Sequence, residues 1–139
     1  MNSLVLDSSV ALSWCFEDEA TPVTKDILKD VKNGEAVVPN LWTLEIANTL
    51  SLSVRKKRID DAGVTRFLLL IENLPIVTDD ETAAHALKDT LALSRHCELT
   101  AYDAAYIELA QRLDIPLASK DRQICAAAKK LKIKLIEAA

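Results

Sequence analysis

The sequence predicts an α/β domain with a mostly parallel sheet that is covered by helices on both faces. Short apolar runs alternate with longer segments whose apolar residues recur at helical spacing. Consecutive apolar residues in a short run are typical of a strand buried on both faces, as strands of parallel sheets are. At 139 residues, the chain is expected to form one domain over residues 1–139, with a sizeable core.

Strands and helices are predicted in a regular alternation along the chain. The predicted strands are Leu4–Leu6, Ala36–Val38, Pro75–Val77, Pro116–Ala118 and, at an edge, Lys132–Ile136. The predicted helices are Val10–Phe16, Thr24–Lys32, Leu41–Lys57, Asp60–Asn73, Asp80–Arg95, Ala101–Leu113 and Arg122–Leu131. Asn33 and Gly34 are typical of a helix end, and Pro39 closes the second strand.

Composition excludes several kinds of site. Gly34 and Gly63 are the only glycines, which excludes a glycine-rich dinucleotide turn and a P-loop. Cys15, Cys97 and Cys125 are odd in number and form no CxxC pair, so we expect free thiols rather than disulfides or zinc ligands. No apolar run is long enough for a bilayer and no signal-peptide pattern is found, so we expect a cytoplasmic protein without membrane contact.

The net charge of −4 weighs against nucleic-acid binding, because phosphate contacts need lysine and arginine. The charge is uneven, however, since Arg55–Arg58 is a basic run and four lysines lie within Lys129–Lys134. A basic run most often marks a solvated face. Metal-bound carboxylates would also be less negative than the formal sum implies, so nucleic-acid binding stays open.

Three aspartates lie where a site of an open parallel sheet is expected. Asp7 directly follows the first predicted strand, Asp121 follows the fourth within three residues, and Asp103 begins the helix that leads into the fourth. Ligands of such sheets bind at the carboxyl ends of the strands. Each aspartate also has a structural explanation, because Asp7 and Asp121 can cap the following helices and Thr100 with Asp103 has capping-box spacing.

Glu45 lies inside a predicted helix, on a stripe that is polar in its middle and apolar at both ends. That stripe comprises Leu41, Glu45, Asn48 and Leu52, and the predicted core face comprises Ile46, Ala47, Leu50 and Val54. A buried glutamate is costly unless it is paired or bound to something. An exposed glutamate on an amphipathic helix remains the alternative.

A shared pocket of four carboxylates would require a cation. Carboxylates a few ångström apart repel one another, which raises their pKa values, and a divalent ion reverses this effect. Oxygen ligands without nitrogen or sulfur suit Mg²⁺ or Mn²⁺. Two such ions could activate a water molecule and neutralise the leaving oxygen in a phosphodiester displacement.

Four segments together resemble the PIN-domain family, and most closely the VapC toxins of prokaryotic toxin–antitoxin systems. The matching segments are Leu4–Leu12, Val38–Pro39 with Leu44–Asn48, Leu99–Tyr106, and Pro116–Asp121. They occur in the family's order and span nearly the whole chain. The resemblance implies a three-layer α/β/α sandwich around a five-stranded sheet, and a Mg²⁺- or Mn²⁺-dependent endoribonuclease that hydrolyses RNA with metal-activated water.

The resemblance also implies roles for single residues and for partners. It makes Asp7, Glu45, Asp103 and Asp121 the catalytic metal ligands, with Ser119 as a hydroxyl group that supports the site and Ser8 and Asn48 as further support. The implied partners are an RNA substrate, a VapB-like antitoxin whose C-terminal segment blocks the site, and a second copy in a homodimer. Candidate contacts to RNA are Arg55, Lys56, Lys57, Arg58 and Lys120. Lys120 stands where many relatives carry an uncharged residue.

Two other readings of the acids stay open from the sequence. A receiver domain that accepts a phosphoryl group is also a parallel α/β sandwich with an acidic magnesium pocket. It requires paired acids after the first strand, where this chain has only Asp7, and an acceptor aspartate after the third. A PIN fold that only binds a partner and has lost catalysis is the other alternative.

Overall fold

Five parallel strands form one sheet in the computed structural model, which describes residues 2–139. The strands are β1 (Ser3–Leu6), β2 (Glu35–Val38), β3 (Ile76–Thr78), β4 (Leu117–Ser119) and β5 (Leu135–Glu137). Their order is β3-β2-β1-β4-β5, so β1 lies at the centre with Val5 opposite Val37 of β2 and Leu117 of β4. Because every neighbouring pair is parallel, all five carboxyl ends lie at one edge of the sheet.

Helices cover the sheet and confirm the predicted three-layer α/β/α sandwich. They are α1 (Ser8–Ser13), α2 (Pro22–Asn33), α3 (Trp42–Arg55), α4 (Asp61–Glu72), α5 (Thr82–His85), α6 (Leu91–Cys97), α7 (Ala101–Leu113) and α8 (Arg122–Lys130). A short 3-10 turn (Glu17–Glu19) follows α1, and a π turn (Ala86–Thr90) joins α5 to α6. Within residues 2–139, no helix is both long enough and apolar enough to cross a membrane.

The core is built on the central strand and on α7. Val5 and Leu6 of β1 are fully buried, as consecutive apolar residues of a two-sided strand must be. Helix α7 packs on β1 and β4 and is buried continuously from Ala104 to Ala110. A helix that is buried over two turns holds its first turn rigidly, and this first turn carries Asp103.

The predicted single helix over Asp80–Arg95 is wrong. The chain forms α5, the π turn and α6 instead, with Lys88 at the non-helical angles φ −120° and ψ −105°. A π turn contains one residue more than an α turn and therefore shifts the face that the preceding turn presents. Here that turn carries His85, whose Nδ1 lies 4.0 Å from Glu108 Oε2 of α7.

Helix α3 buries a different face from the predicted one. Its buried residues are Trp42, Ile46, Leu50 and Ser53, at spacings of four, four and three. The predicted core residues Ala47 and Val54 are exposed, so only Ile46 and Leu50 of that prediction are correct. The reason is that Trp42, the largest side chain of the first turn, packs in the core and sets the buried face.

Candidate active site

Asp7 is the most buried of the four predicted acids, with 4% of its surface exposed. It directly follows β1 at the centre of the carboxyl edge. Its Oδ2 accepts hydrogen bonds from Ser119 Oγ at 2.7 Å and from Ser9 Oγ at 2.8 Å. Its Oδ1 faces Ser9 N at 3.5 Å, which is the helix cap expected from the sequence. Burial raises the pKa of Asp7, and these hydrogen bonds oppose that rise.

Ser119 connects Asp7 to Asp121. Ser119 is the last residue of β4, is fully buried, and donates its hydroxyl to Asp7 while accepting from Asp121 N at 3.0 Å. Asp121 in turn caps α8, since its Oδ1 accepts from Ile124 N at 2.9 Å. One hydroxyl therefore binds the carboxylate of Asp7 and the backbone of Asp121 at the adjacent ends of β1 and β4.

Asp103 approaches the same place from α7. Its backbone N–H donates to Thr100 Oγ at 3.1 Å, which is one half of the predicted capping box. Burial raises the pKa of Asp103, and the negative charges of Asp121 and Asp7 raise it further. The three aspartates therefore belong to one electrostatic unit.

Glu45 completes that unit from the first turn of α3. Its Oε1 accepts from Ser8 Oγ at 3.2 Å and from the hydroxyl of Tyr106. Burial raises the pKa of Glu45, and the charges of Asp7 and Asp103 add to the rise. The fold thus brings together all four acids that the sequence singled out, from positions spread over most of the chain.

The donor set of this acidic site fits a hydrated divalent ion. No three of the four acids have ligand atoms all within 4.8 Å of one another, because within residues 2–139 only Asp79, Asp80 and Glu81 do. Mg²⁺ keeps several of its waters and contacts only one or two carboxylates directly, so the wider spacing suits it. The ligand atoms of the four acids are all carboxylate oxygens. These carboxylates repel one another, and a bound cation would compensate their negative charge.

The tighter cluster of Asp79, Asp80 and Glu81 follows β3 and has a different electrostatic character. Arg112 Nη2 donates to Asp79 Oδ2 at 2.7 Å, and Arg112 Nε donates to Glu108 Oε2 at 2.7 Å. This arginine lowers the pKa of Asp79. Arg112 thus pairs with Asp79 and Glu108 and lies 3.6 Å from Glu81, which makes this part of the cluster a structural ion network. The sequence showed three consecutive acids but not the arginine that pairs with them.

Two of the predicted RNA contacts are bound to acidic side chains. Arg58 donates to Asp18 at 3.1 Å and to Glu19 at 2.7 Å, and its guanidinium lies 3.9 Å from the ring centroid of Phe16. Lys120 Nζ donates to Glu19 Oε1 at 3.3 Å. The 3-10 turn after α1 therefore neutralises both cations. The other three candidates, Arg55, Lys56 and Lys57, are exposed at the end of α3.

The predicted supporting residues differ in their surroundings. Ser8 is buried and binds Glu45, whereas Asn48 is exposed on α3 and its side chain makes no hydrogen bond within residues 2–139. Ser9 and Tyr106 also contact the acids, and no role was predicted for either of them from the sequence. Ser9 follows Asp7 by two residues, and Tyr106 follows Asp103 by one helical turn. Proximity along the chain to a predicted acid was therefore the only sequence signal for these two residues.

Comparison with known proteins agrees with this architecture. A family model described as the PIN domain matches residues 4–130. A crystal structure of PAE2754 from Pyrobaculum aerophilum is similar, with a TM-score of 0.66 and 19% identity over 91% of this chain and 84% of that one. A structure of FitAB bound to an IR36 DNA fragment gives a TM-score of 0.65 and 15% identity, over 97% of this chain and 94% of that one.

A third similar structure, FitAcB from Neisseria gonorrhoeae, gives a TM-score of 0.61 with 14% identity over 97% of each chain. Among proteins with curated descriptions, none matches this chain significantly. The structural likenesses establish the fold, and the family model covers most of the sequence. On this evidence the chain belongs to the PIN-domain family.

Proposed function

We propose that this protein is a divalent-metal-dependent endoribonuclease and the toxin of a VapBC-type toxin–antitoxin pair. The observation that carries the proposal is the convergence of Asp7, Glu45, Asp103 and Asp121 at the carboxyl edge of the sheet. Burial raises the pKa values of Asp7, Glu45 and Asp103, and the charges of other acids in the set raise them further. PIN domains are generally metal-dependent nucleases, and the four acids are the residues on which such chemistry would depend.

The proposed ion is Mg²⁺ or Mn²⁺. Asp7 and Asp103 would carry most of the coordination, with Glu45 and Asp121 completing it directly or through water. When bound, the ion supplies compensation of negative charge and a more acidic water for hydrolysis of the phosphodiester bond. Ser119 and Ser9 hold the Asp7 carboxylate in a single orientation. The carboxylate therefore does not need to reorient when the ion binds.

The proposed substrate is RNA, and the exposed end of α3 is its proposed docking surface. Arg55 follows Glu45 by ten residues, which places it about 15 Å along the helix axis from the acidic site. A strand of RNA that enters the site could therefore pass over Arg55, Lys56 and Lys57. Arg58 is left out of this surface, because its guanidinium is already engaged by two carboxylates and an aromatic ring.

The proposed partners are a VapB-like antitoxin and a second copy of the chain, and the proposed location is the cytoplasm. The family resemblance supports these partners, and exposed apolar side chains are consistent with them. Leu44, Leu68 and Leu69 of α3 and α4 are exposed. A cleft of about 920 Å³ also lies where α1, α3 and α4 meet, lined by Trp14 and by charged residues that include Lys57 and Arg66.

The strand order argues against the receiver alternative. Receiver domains share the flavodoxin-like order 2-1-3-4-5, in which the third strand lies next to the first. In this protein β2 separates β3 from β1. Asp79, which follows β3, is therefore remote from Asp7 in the sheet and is paired with Arg112.

The direct test is cleavage of a cellular RNA mixture by the purified protein, followed by sequencing of the new RNA ends. We expect a small set of discrete cleavage sites with Mg²⁺ or Mn²⁺, and none with a chelator. Activity should return when the ion is added back in excess. Equal cleavage with and without the chelator, or none under any condition, would refute the proposed function.

The exposed basic residues predict a specific salt dependence. Replacing Lys56 and Lys57 by alanine should weaken the dependence of RNA affinity on salt. Each phosphate contact to a single strand adds about 0.7 to the steepness of log K plotted against the logarithm of salt concentration. The expected decrease in slope is about 1.4, measured by binding at several salt concentrations with a cleavage-deficient parent. The matched control replaces Lys130, the last residue of α8, and Lys134, the residue before β5, both exposed. Lys134 precedes the amino end of β5, whereas the acids lie at the carboxyl ends of the strands. An unchanged slope in the first variant would assign its lysines to solvent or to a partner.

A further inference from the structure

The hydroxyl of Tyr106 contacts Glu45, one of the four acids. Tyr106 is on α7, one helical turn after Asp103, and its side chain is fully buried. Its hydroxyl donates to Glu45 Oε1 and accepts a hydrogen bond from Ser8 N at 3.4 Å. One phenol therefore connects the beginnings of α7, α3 and α1, which are the elements around the site.

Both groups that hold Glu45 act on the same oxygen atom. Ser8 Oγ and the Tyr106 hydroxyl donate to Oε1, whereas no donor within residues 2–139 reaches Oε2. A phenol keeps its proton at neutral pH, so the Tyr106 hydroxyl is a donor to Glu45. The result is a carboxylate with one oxygen held and the other free for a ligand.

Glu45 would otherwise be repelled from the site. It lies on a half-buried turn of α3, its side chain has several rotamers, and the charges of Asp7 and Asp103 act on it. Repulsion of this kind favours the rotamers that turn the carboxylate towards solvent. A donor on a rigid, buried helix opposes that motion, because it binds the charged carboxylate more strongly than a neutral acceptor.

We propose that Tyr106 is a positioning residue that holds Glu45 in the acidic site against this repulsion and thereby strengthens the binding of the divalent ion. The inference rests on the proposed function, since it concerns the same site. Tyr106 acts through Glu45 and touches neither the ion nor the RNA. Its hydroxyl is thus part of the preorganisation of the site, while its ring is part of the core.

The test is Tyr106→Phe, which removes the hydroxyl and keeps the ring. Mn²⁺ binding to the metal-free protein is measured by calorimetry, together with RNA cleavage at a range of Mg²⁺ concentrations. We expect the Kd for Mn²⁺ to rise roughly tenfold, as for loss of a hydrogen bond to a charged group. Cleavage should fall at low Mg²⁺ and largely recover at saturating Mg²⁺. The matched control is Tyr102→Phe, which alters an exposed tyrosine of the same helix and should keep the parent's Kd.

Repeating the measurement in a protein that carries Glu45→Gln distinguishes positioning of Glu45 by the Tyr106 hydroxyl from packing of the Tyr106 ring. In Glu45→Gln protein there is no carboxylate to position, so Tyr106→Phe should change the Kd for Mn²⁺ by less than about twofold. An equal loss of affinity in both backgrounds would show that Tyr106 acts through packing and would overturn the inference, as would an unchanged Kd in the parent background. A parent protein that neither binds Mn²⁺ nor cuts RNA would instead overturn the proposed function, and the inference with it.

Discussion

Replacing Asp7 by asparagine is expected to abolish RNA cleavage while leaving the protein folded. Asp7 lies at the centre of the acidic site, and the change removes a negative charge on which ion binding depends. A metal site supplies several kcal/mol of transition-state stabilisation, so the loss in rate should be on the order of a thousandfold. Cleavage is measured with Mg²⁺ on the RNA that the parent cuts. Cleavage at the parent's rate by purified Asp7→Asn would show that the mechanism is wrong.

The fold should tolerate this change because asparagine has the same shape and its single side-chain oxygen can still accept the hydrogen bonds from the hydroxyls of Ser119 and Ser9. The amide nitrogen then takes the place of Oδ1, so the change gives up the helix-cap contact to Ser9 N, which is already long at 3.5 Å. Burial raises the pKa of Asp7, which means that its charge destabilises the metal-free protein and that its removal relieves this cost. We therefore expect the free energy of unfolding in chelator to fall by no more than about 1 kcal/mol. Asp26→Asn, an exposed change on α2, is the control for activity.

Replacing Arg112 by alanine is expected to destabilise the fold by about 3 kcal/mol. Arg112 is bound to Asp79 and Glu108, whose side chains are only 9% and 5% exposed, and the change would leave both carboxylates without their partner. Breaking a buried pair by removing one member costs more than the pair itself contributes, because a buried charge remains. The measurement is denaturant unfolding at pH 7, with Arg95→Ala, an exposed arginine of α6, as the control.

The pH dependence of this loss has a defined sign. Arg112 lowers the pKa of Asp79, so their interaction contributes stability above the ordinary pKa of aspartate, about 3.9. That contribution disappears as the pH falls through the lowered value in the folded protein. The difference between parent and Arg112→Ala should be full at pH 7 and smaller in strong acid. A loss below about 1 kcal/mol at pH 7 would contradict the view of this cluster as a structural ion network.

Local patterns were sufficient to predict the order of the elements and the region of the site. Apolar runs predicted the buried strands β1, β2 and β4 to within one residue, because a strand buried on both faces has few polar positions. The partly exposed edge strands β3 and β5 were predicted to within three residues. Asp7 and Asp121 could be placed at strand ends because each lies within three residues of such a run. The break at Lys88 could not be predicted, since the apolar spacing there fits a continuous helix as well as a broken one.

Contacts between distant segments were not predictable from the sequence. The hydroxyl of Ser119 reaches Asp7 across 112 positions only because β4 is the neighbour of β1. The neutralisation of Arg58 and Lys120 by Glu19 depends on how the 3-10 turn packs over both. A residue's spacing along the chain does not contain this information.

The sequence by itself determined which residue types lie at the ends of strands and helices, and through the family resemblance it identified four acids. Only the tertiary structure decided which carboxylates remain uncompensated and which are paired. The physical reason is that the charge state of an acid depends on its burial and on the donors and charges around it. Strand order and helix packing set these surroundings, and they brought Tyr106 to Glu45 and Arg112 to Asp79.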